Sequence, residues 1–304
     1  MKKGLLFSGQ GAQSVGMARS LYDSNAAARA LFDQANAVLG FDLKRLCFVG
    51  PNEELTQTRV CQPALFVHGL AVRAILEEKG LLGEVTVALG LSLGELTALT
   101  AAGAFDFETG LQVVAKRGAL MQEACEASEG SMASLIGGTR QKAEELAQAC
   151  DIDVANLNCP GQIVVSGSQL GITEAVAKAR DFGFKLAKEL NVAGAYHSRL
   201  MEPARVGFEA FLGETTIHTP QLTVFSNTTG QPVHTPDEIR TALVRQVVSP
   251  VLWEDCFTNA VATGASEFYE CGPGAVLTGL ARRIQTDAPA KVIPLAEAED
   301  FGKV

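Results

Sequence analysis

The sequence is short of several things, and each shortage excludes a class of protein. Positive charge is scarce: 25 Lys and Arg against 34 Asp and Glu give a formal net charge of -9 and a pI near 5.1. A nucleic-acid binder needs a broad cationic surface to neutralise phosphates, so no nucleic-acid partner is expected. Charge of either sign is sparse at 19%, while apolar residues reach 47%, which excludes a disordered chain and fits a well-buried globular one. Closely spaced cysteine pairs are missing. The seven cysteines (Cys47, Cys61, Cys125, Cys150, Cys159, Cys256, Cys271) form no CxxC motif and read as buried free thiols in a reducing cytoplasm. Long apolar runs are missing too. Met1-Lys2-Lys3 leads only into Gly4-Leu5-Leu6-Phe7, too short for a signal peptide. The most apolar stretch, Val85 to Phe107, is broken by Glu95, Asp106 and several Gly and Thr residues, so no membrane span is expected. There is no long internal repeat and no low-complexity linker.

What is present is an alternation of strand and helix signals. At 304 residues the chain suits one large domain with an insertion, or two modest domains. Leu5-Leu6-Phe7 reads as a buried strand feeding the loop Ser8-Gly9-Gln10-Gly11-Ala12-Gln13, whose glycines permit sharp turning. Helices are predicted over Ala26–Leu39 and Pro63–Lys79, the latter with Pro63 in its first turn and Gly80 as its stop. Glu84–Leu89 reads as a strand and Gly94–Ala102 as a helix, which puts Ser92 on the turn between them. A helix from Phe107 to about Ala127 sets Leu111, Val114 and Met121 on one face, with Arg117 at its border. From Gly130 to Val192 the order becomes β-α-β-β-α-β, the signature of a ferredoxin-like unit. The expected fold is therefore α/β: a catalytic subdomain with a parallel sheet over 1–128 and 194–304, and a ferredoxin-like subdomain inserted at 129–193. After His197 come a helix (Leu200–Leu212), a strand (Leu222–Ser226), a helix (Pro236–Val248) stopped by Pro250, a strand at Glu267–Glu270 and a helix over Ala275–Arg283.

Gly90-Leu91-Ser92-Leu93-Gly94 matches G-x-S-x-G, in which the glycines allow a tight strand-to-helix turn that exposes a serine oxygen. Such a pattern arises by chance in roughly one chain in ten of this length, so its strength comes from the strand-turn-helix context. A serine hydroxyl needs a base to take its proton, and histidine is the usual one. His68 lies in an apolar helix and reads as a packing residue, while His218 and His234 lie in Pro-flanked loops and read as solvated. His197, in Gly194-Ala195-Tyr196-His197-Ser198, remains. Asp151, Asp153 and Asp181 are the nearest candidates for an acid to orient it, and no motif distinguishes them.

Several separated motifs together resemble the malonyl-CoA:acyl carrier protein transacylases over essentially the whole chain. Phe7-Ser8-Gly9-Gln10-Gly11-Ala12-Gln13 is similar to that family's opening GQG(S/A)Q, Ser92 and Glu95 to its GHSxGE, and Arg117 with Met121 to its RGxxM. Asn156 to Gln162, Ala195-Tyr196-His197-Ser198 and Gly272-Pro273-Gly274 resemble its Asn-Pro-Gly-Gln, AFHS and GPG segments. The resemblance implies an α/β-hydrolase-like large subdomain and a cytoplasmic, monomeric enzyme that needs no cofactor, coenzyme A thioester being its substrate. It implies that His197 is oriented by the backbone carbonyl of Gln246, which would account for the absence of a distinctive acid. It also implies an oxyanion hole made by the N–H groups of Gln10 and Leu93. Arg117 would hold the malonyl carboxylate through its planar fork, and Met121, Asn158, Tyr196 and Val276 would line the acyl pocket. Phe is the commoner residue at the position of Tyr196. One residue departs from the pattern: Leu91 stands where the family has histidine. The partners implied are malonyl-CoA and acyl carrier protein, in fatty-acid synthesis. Rival readings are a free-standing polyketide-pathway acyltransferase, an acyl-CoA thioesterase or esterase, and a non-catalytic acyl-CoA binder.

Overall fold

The computed structural model describes residues 2–304. Its ten strands are β1 (Lys2–Phe7), β2 (Val85–Gly90), β3 (Gly130–Ile136), β4 (Asp153–Cys159), β5 (Gln162–Ser168), β6 (Leu186–Glu189), β7 (Thr223–Phe225), β8 (Pro232–Val233), β9 (Ala265–Cys271) and β10 (Lys291–Leu295). Six of them form one sheet in the order β10-β9-β1-β2-β7-β8, parallel throughout except for the β7–β8 pair. Strand residues alternate between faces, so Leu5, Phe7 and Ala88 join one buried cluster while Leu6, Val87 and Leu89 join another. Burial on both faces is why these strands read as continuous apolar runs rather than alternating ones. The first cluster is filled by the helices Thr58–Glu78 and Phe107–Glu126, the second by the helices Trp253–Ala262 and Val276–Ala281.

The other four strands form an antiparallel sheet in the order β4-β5-β3-β6. The helices Arg140–Ala149 and Gln169–Lys178 pack on it around a core of their own that includes Ala133, Leu135, Leu146, Ile172 and Phe184. Strand order and connection are those of a ferredoxin-like unit, so the α/β class with a parallel and a separate antiparallel sheet is as expected. The two sheets are tied by the Asn156–Val251 bridge and by Arg140, which donates to both oxygens of Asp255 at 2.8 and 2.6 Å.

Several boundaries differ from the sequence reading. The helix expected to begin at Pro63 begins at Thr58, with Pro63 inside it. The Thr58 N–H, which has no helical carbonyl one turn back, donates to Gln122 Oε1 at 2.9 Å, a cap that lies far off in the chain and starts the helix five residues before the proline. This helix is apolar and long enough to cross a bilayer, yet most of it is buried inside the fold. The second helix of the inserted unit starts at Gln169, because the Ser168 hydroxyl accepts the Gly171 N–H at 3.1 Å and caps it. The short strands β8 and β10 and the helices Leu43–Val49 and Trp253–Ala262 were not anticipated.

Candidate active site

The parallel strands end together, and their carboxyl ends deliver the polar residues of the site, as open α/β sheets tend to do. β1 runs into the Gly9–Gln13 loop, β2 into Ser92, and β7 into Asn227. Ser92 has φ 54° and ψ -106°, a strained turn that persists because its neighbours leave no alternative. A Cβ on Gly90 would lie 2.0 Å from the Gly94 carbonyl, and one on Gly94 would lie 2.2 Å from the Phe7 carbonyl oxygen. Both glycines of the G-x-S-x-G motif are therefore sterically required. Asn227 clasps the turn: its Oδ1 accepts the Ser92 N–H at 2.7 Å, and its Nδ2 donates to the Gly90 carbonyl at 2.9 Å.

The Ser92 hydroxyl lies 2.7 Å from His197 Nε2, and His197 Nδ1 lies 2.8 Å from the Gln246 carbonyl oxygen. A carbonyl only accepts, so Nδ1 carries the proton and Nε2 presents its lone pair to the serine. His197 is buried with φ 58°, and burial followed by the nearby Arg117 charge lowers its pKa to about 4. At neutral pH the imidazole is uncharged and able to accept a proton. Asp151 and Asp153, acid candidates from the sequence, instead bind Arg199 at 2.7 and 3.1 Å.

Arg117 is 1% exposed and lies behind the serine, not on the cavity wall. Its Nη2 donates to Ser92 Oγ at 3.0 Å and to Gln246 Oε1 at 2.8 Å, and its Nη1 donates to Gln62 Oε1 at 2.9 Å. All three acceptors are neutral. The nearest carboxyl, Glu95, is reached only through an amide: Gln246 Nε2 donates to Glu95 Oε2 at 2.6 Å, and so does the Asn227 N–H at 3.0 Å. Burial, opposed by those two bonds, raises the Glu95 pKa to about 7. Burial also lowers Arg117 to about 10, which still leaves it cationic at neutral pH. A buried guanidinium without a direct counter-ion is a place where a small carboxylate gains much.

In front of these groups opens a cavity of about 740 Å³, lined among others by Gln10, Leu91, Ser92, Leu93, Met121, Asn158, Tyr196, His197 and Val276. The structure thus brings every candidate side chain to one place except those of Arg117 and Gln246, which stand just behind the wall. Leu93 opens the helix after the nucleophile, so its N–H has no carbonyl one turn back to bond. Asn158 Oδ1 is buried without a partner, and Val276 is half exposed at the rim. Leu91 packs against the apolar cluster that contains Leu277 and Leu280, so the side chain in place of the family histidine adds apolar wall. His68 is fully buried and lies 2.9 Å from the Ala296 carbonyl, while His218 and His234 are exposed, all three apart from the site.

Sequence reasoning missed Gln62, Asn227 and the side-chain role of Gln246. Gln62 had a signal, a polar residue amid an apolar helix. Asn227 had another, its place just past a parallel strand.

The acyl transferase domain family matches residues 5–299. A malonyl CoA-acyl carrier protein transacylase of Bacillus subtilis (strain 168) is 40% identical over 291 residues, covering 93% of this chain and 90% of that protein. The crystal structure of an acyl-carrier-protein-S-malonyltransferase from Bartonella henselae superposes with a TM-score of 0.94 at 35% identity, covering 100% of this chain and 98% of that one. A type II polyketide synthase acyl-carrier protein in complex with its malonyl-transacylase gives a TM-score of 0.93 at 33% identity, covering 100% and 98%.

Proposed function

The chain belongs to the malonyl-CoA:acyl carrier protein transacylase family, and we propose that it carries the malonyl group as an ester on Ser92. It is an acyltransferase that moves malonyl from malonyl-CoA to the phosphopantetheine thiol of acyl carrier protein. The observation that carries the residue assignment is the line Gln246 carbonyl, His197, Ser92, at 2.8 and 2.7 Å, with the Arg117 guanidinium 3.0 Å from the same hydroxyl.

In this reading His197 Nε2 takes the Ser92 proton as the serine oxygen attacks the thioester carbonyl. The tetrahedral oxyanion is held by the N–H groups of Gln10 and Leu93. The imidazolium then returns the proton to the leaving coenzyme A sulfur. Acylation turns Ser92 Oγ into an ester oxygen, a poor acceptor, so Arg117 loses that partner as the malonyl carboxylate arrives to replace it. The carrier thiol then gives its proton to His197 and attacks the ester carbonyl; the carbon–Oγ bond breaks and the imidazolium returns the proton to Ser92 Oγ, which makes the kinetics ping-pong. Neither step calls on a metal or a redox group. Intact mass after mixing with malonyl-CoA tests the assignment. One malonyl adduct is expected on wild type and none on Ser92→Ala; an adduct that survives the substitution overturns it.

The pathway proposed is fatty-acid synthesis, with a polyketide assembly line as the second reading. A separable subdomain over 129–193, a monomeric state and a cytoplasmic location belong to the same proposal. The carrier is expected to meet uncompensated positive charge. Among the surface cations that could form such a patch, Arg199 and Arg205 are engaged by carboxylates, and Arg283 donates to Gln162 Oε1. Lys185, Lys188 and Arg282 make no ion pair among the described residues and are the remaining docking candidates.

A further inference from the structure

The two donors assigned to the oxyanion hole are held in very different ways. Leu93 is fixed by the helix it begins. Gln10 sits in the loop Gly9–Gln13, which is packed at Gly9, where a Cβ would lie 2.6 Å from the Leu91 carbonyl oxygen, and at Ala12 against the core, but is open at Gly11 between them. Gly11 has φ 102°, and a Cβ there would meet nothing within 4 Å. Within the loop, Ala12 N–H reaches the Gly9 carbonyl at 3.4 Å and Gly11 N–H reaches Gln13 Oε1 at 2.7 Å. Among the described residues, the only hydrogen bonds from Gly9–Gln13 to anything outside come from the Gln10 side chain. Its Nε2 donates to Tyr196 Oη at 3.3 Å and to Thr58 Oγ1 at 3.5 Å.

Those two oxygens are themselves hydrogen-bonded to each other, out of solvent. Each hydroxyl has one proton and spare lone pairs, so the amide and the two hydroxyls close a small polar triangle. Burial pushes the Tyr196 phenol up, so it keeps its proton and its capacity to donate. Both hydroxyls are anchored. Thr58 is buried at the start of its helix, with its N–H on Gln122, and a Cβ on Gly118 would come within 2.9 Å of its carbonyl oxygen. Gly118 follows Arg117. Tyr196 precedes His197 in the chain, and the left-handed φ of His197 holds only if the surroundings fix the segment.

We propose that the Tyr196 hydroxyl is a positioning group that ties the oxyanion loop, through Gln10, to the segment carrying the base and to the helix carrying Arg117. The proposal deepens the function above and rests on the oxyanion role given there to the Gln10 N–H. The ring of Tyr196 walls the acyl pocket, and phenylalanine would do that equally well; only the hydroxyl reaches the loop. Its effect belongs to the transition state, because an oxyanion donor counts most where charge develops.

Tyr196→Phe therefore separates wall from tie. The expected result is a fall in kcat of about tenfold with KM changed less than about twofold, since the donor is loosened rather than removed. Thr58→Val should act in the same direction. Gln10→Ala keeps the N–H but loses the handle, so the double variant Tyr196→Phe/Gln10→Ala should be no slower than the slower single one. Hydrogen exchange over residues 8–13 should quicken about tenfold in Tyr196→Phe, with the thermal midpoint within about 3 °C of wild type. A change in KM alone, multiplicative losses in the double variant, or unaltered exchange overturns the tie. The exchange measurement needs no substrate. A wild type that forms no malonyl adduct would sink the functional reading while leaving this readout to judge the tie by itself.

Discussion

The two sides of the reacting centre are built on opposite principles. On the Ser92 side the backbone has nowhere else to go: Gly90 and Gly94 are in contact with main chain, Asn227 holds the turn from both ends, and His197 is locked by a carbonyl. On the Gln10 side the loop has open space around Gly11 and one polar side chain for a tether. The first is shaped by excluded volume and fails only when the fold fails. The second is shaped by weak directional bonds of about 1 kcal/mol each and fails separately from the fold. A side chain added at a glycine should therefore cost far more stability on the first side than on the second, and on the second side loosening the tether should cost rate without costing the fold.

The sharpest break comes from His197→Ala, which removes the base while leaving the turn intact. Acylation by malonyl-CoA should slow by roughly 10³-fold or more with little change in thermal midpoint, as read by quenched-flow mass measurement. Gly94→Ala should do the reverse, because its Cβ would lie 2.2 Å from the Phe7 carbonyl oxygen. A cost of about 3 kcal/mol or more is expected in urea unfolding. Arg117→Ala should lower kcat/KM for malonyl-CoA by about 10²-fold while leaving acetyl-CoA turnover far less affected, the scale of a lost charge-assisted bidentate contact. Equal losses for both substrates would remove the carboxylate role. On the loose side, Gly11→Ala has room but the wrong φ, so only about 1 kcal/mol is expected, with a thermal shift of about 2–4 °C.

The pH dependence of acylation sharpens the comparison further, because His197 lies on the tight side. With His197 at about 4, the base is neutral at every higher pH, so the acylation rate should stay level from pH 8 to about 5 and fall below that. Stability follows two opposed slopes. His197 and His68, both lowered to about 4, bind fewer protons folded than unfolded between pH 4 and 6.5, so stability is lost as pH falls through that window. Glu95, raised to about 7, holds a proton longer when folded, so its contribution is full below about 4.5 and lost as pH rises through 7. Urea midpoints of wild type and Glu95→Gln at pH 5 and pH 8 should show the second slope steeper in wild type, Glu270 being another buried carboxyl raised by desolvation.

Much of the tight side was legible in the sequence, and the reasons are local. A glycine two residues either side of a serine, between an apolar strand and a helix, leaves few conformations, and Ser92 could be placed from that alone. The loose side and the helix starts were legible only in part, because their determinants lie far off in the chain. Thr58 begins its helix by virtue of Gln122, and a reader of residues 58–63 sees only a proline. Strand β10 was hidden by Pro294, which an edge strand tolerates because one side of its backbone needs no partner. The base's partner was invisible for a different reason. A backbone carbonyl has no letter in the sequence, so only resemblance pointed to Gln246.

That last point reaches further than prediction. Gln246 meets His197 with its main chain and Arg117 with its side chain, so in the proposed mechanism one position serves both the proton and the carboxylate. A codon change alters only the second of these contacts directly. The alignment of the base is thereby sheltered from most single substitutions, while the grip on Arg117, and with it the choice of acyl group, stays open to them. The site can drift in what it accepts without first losing the ability to react.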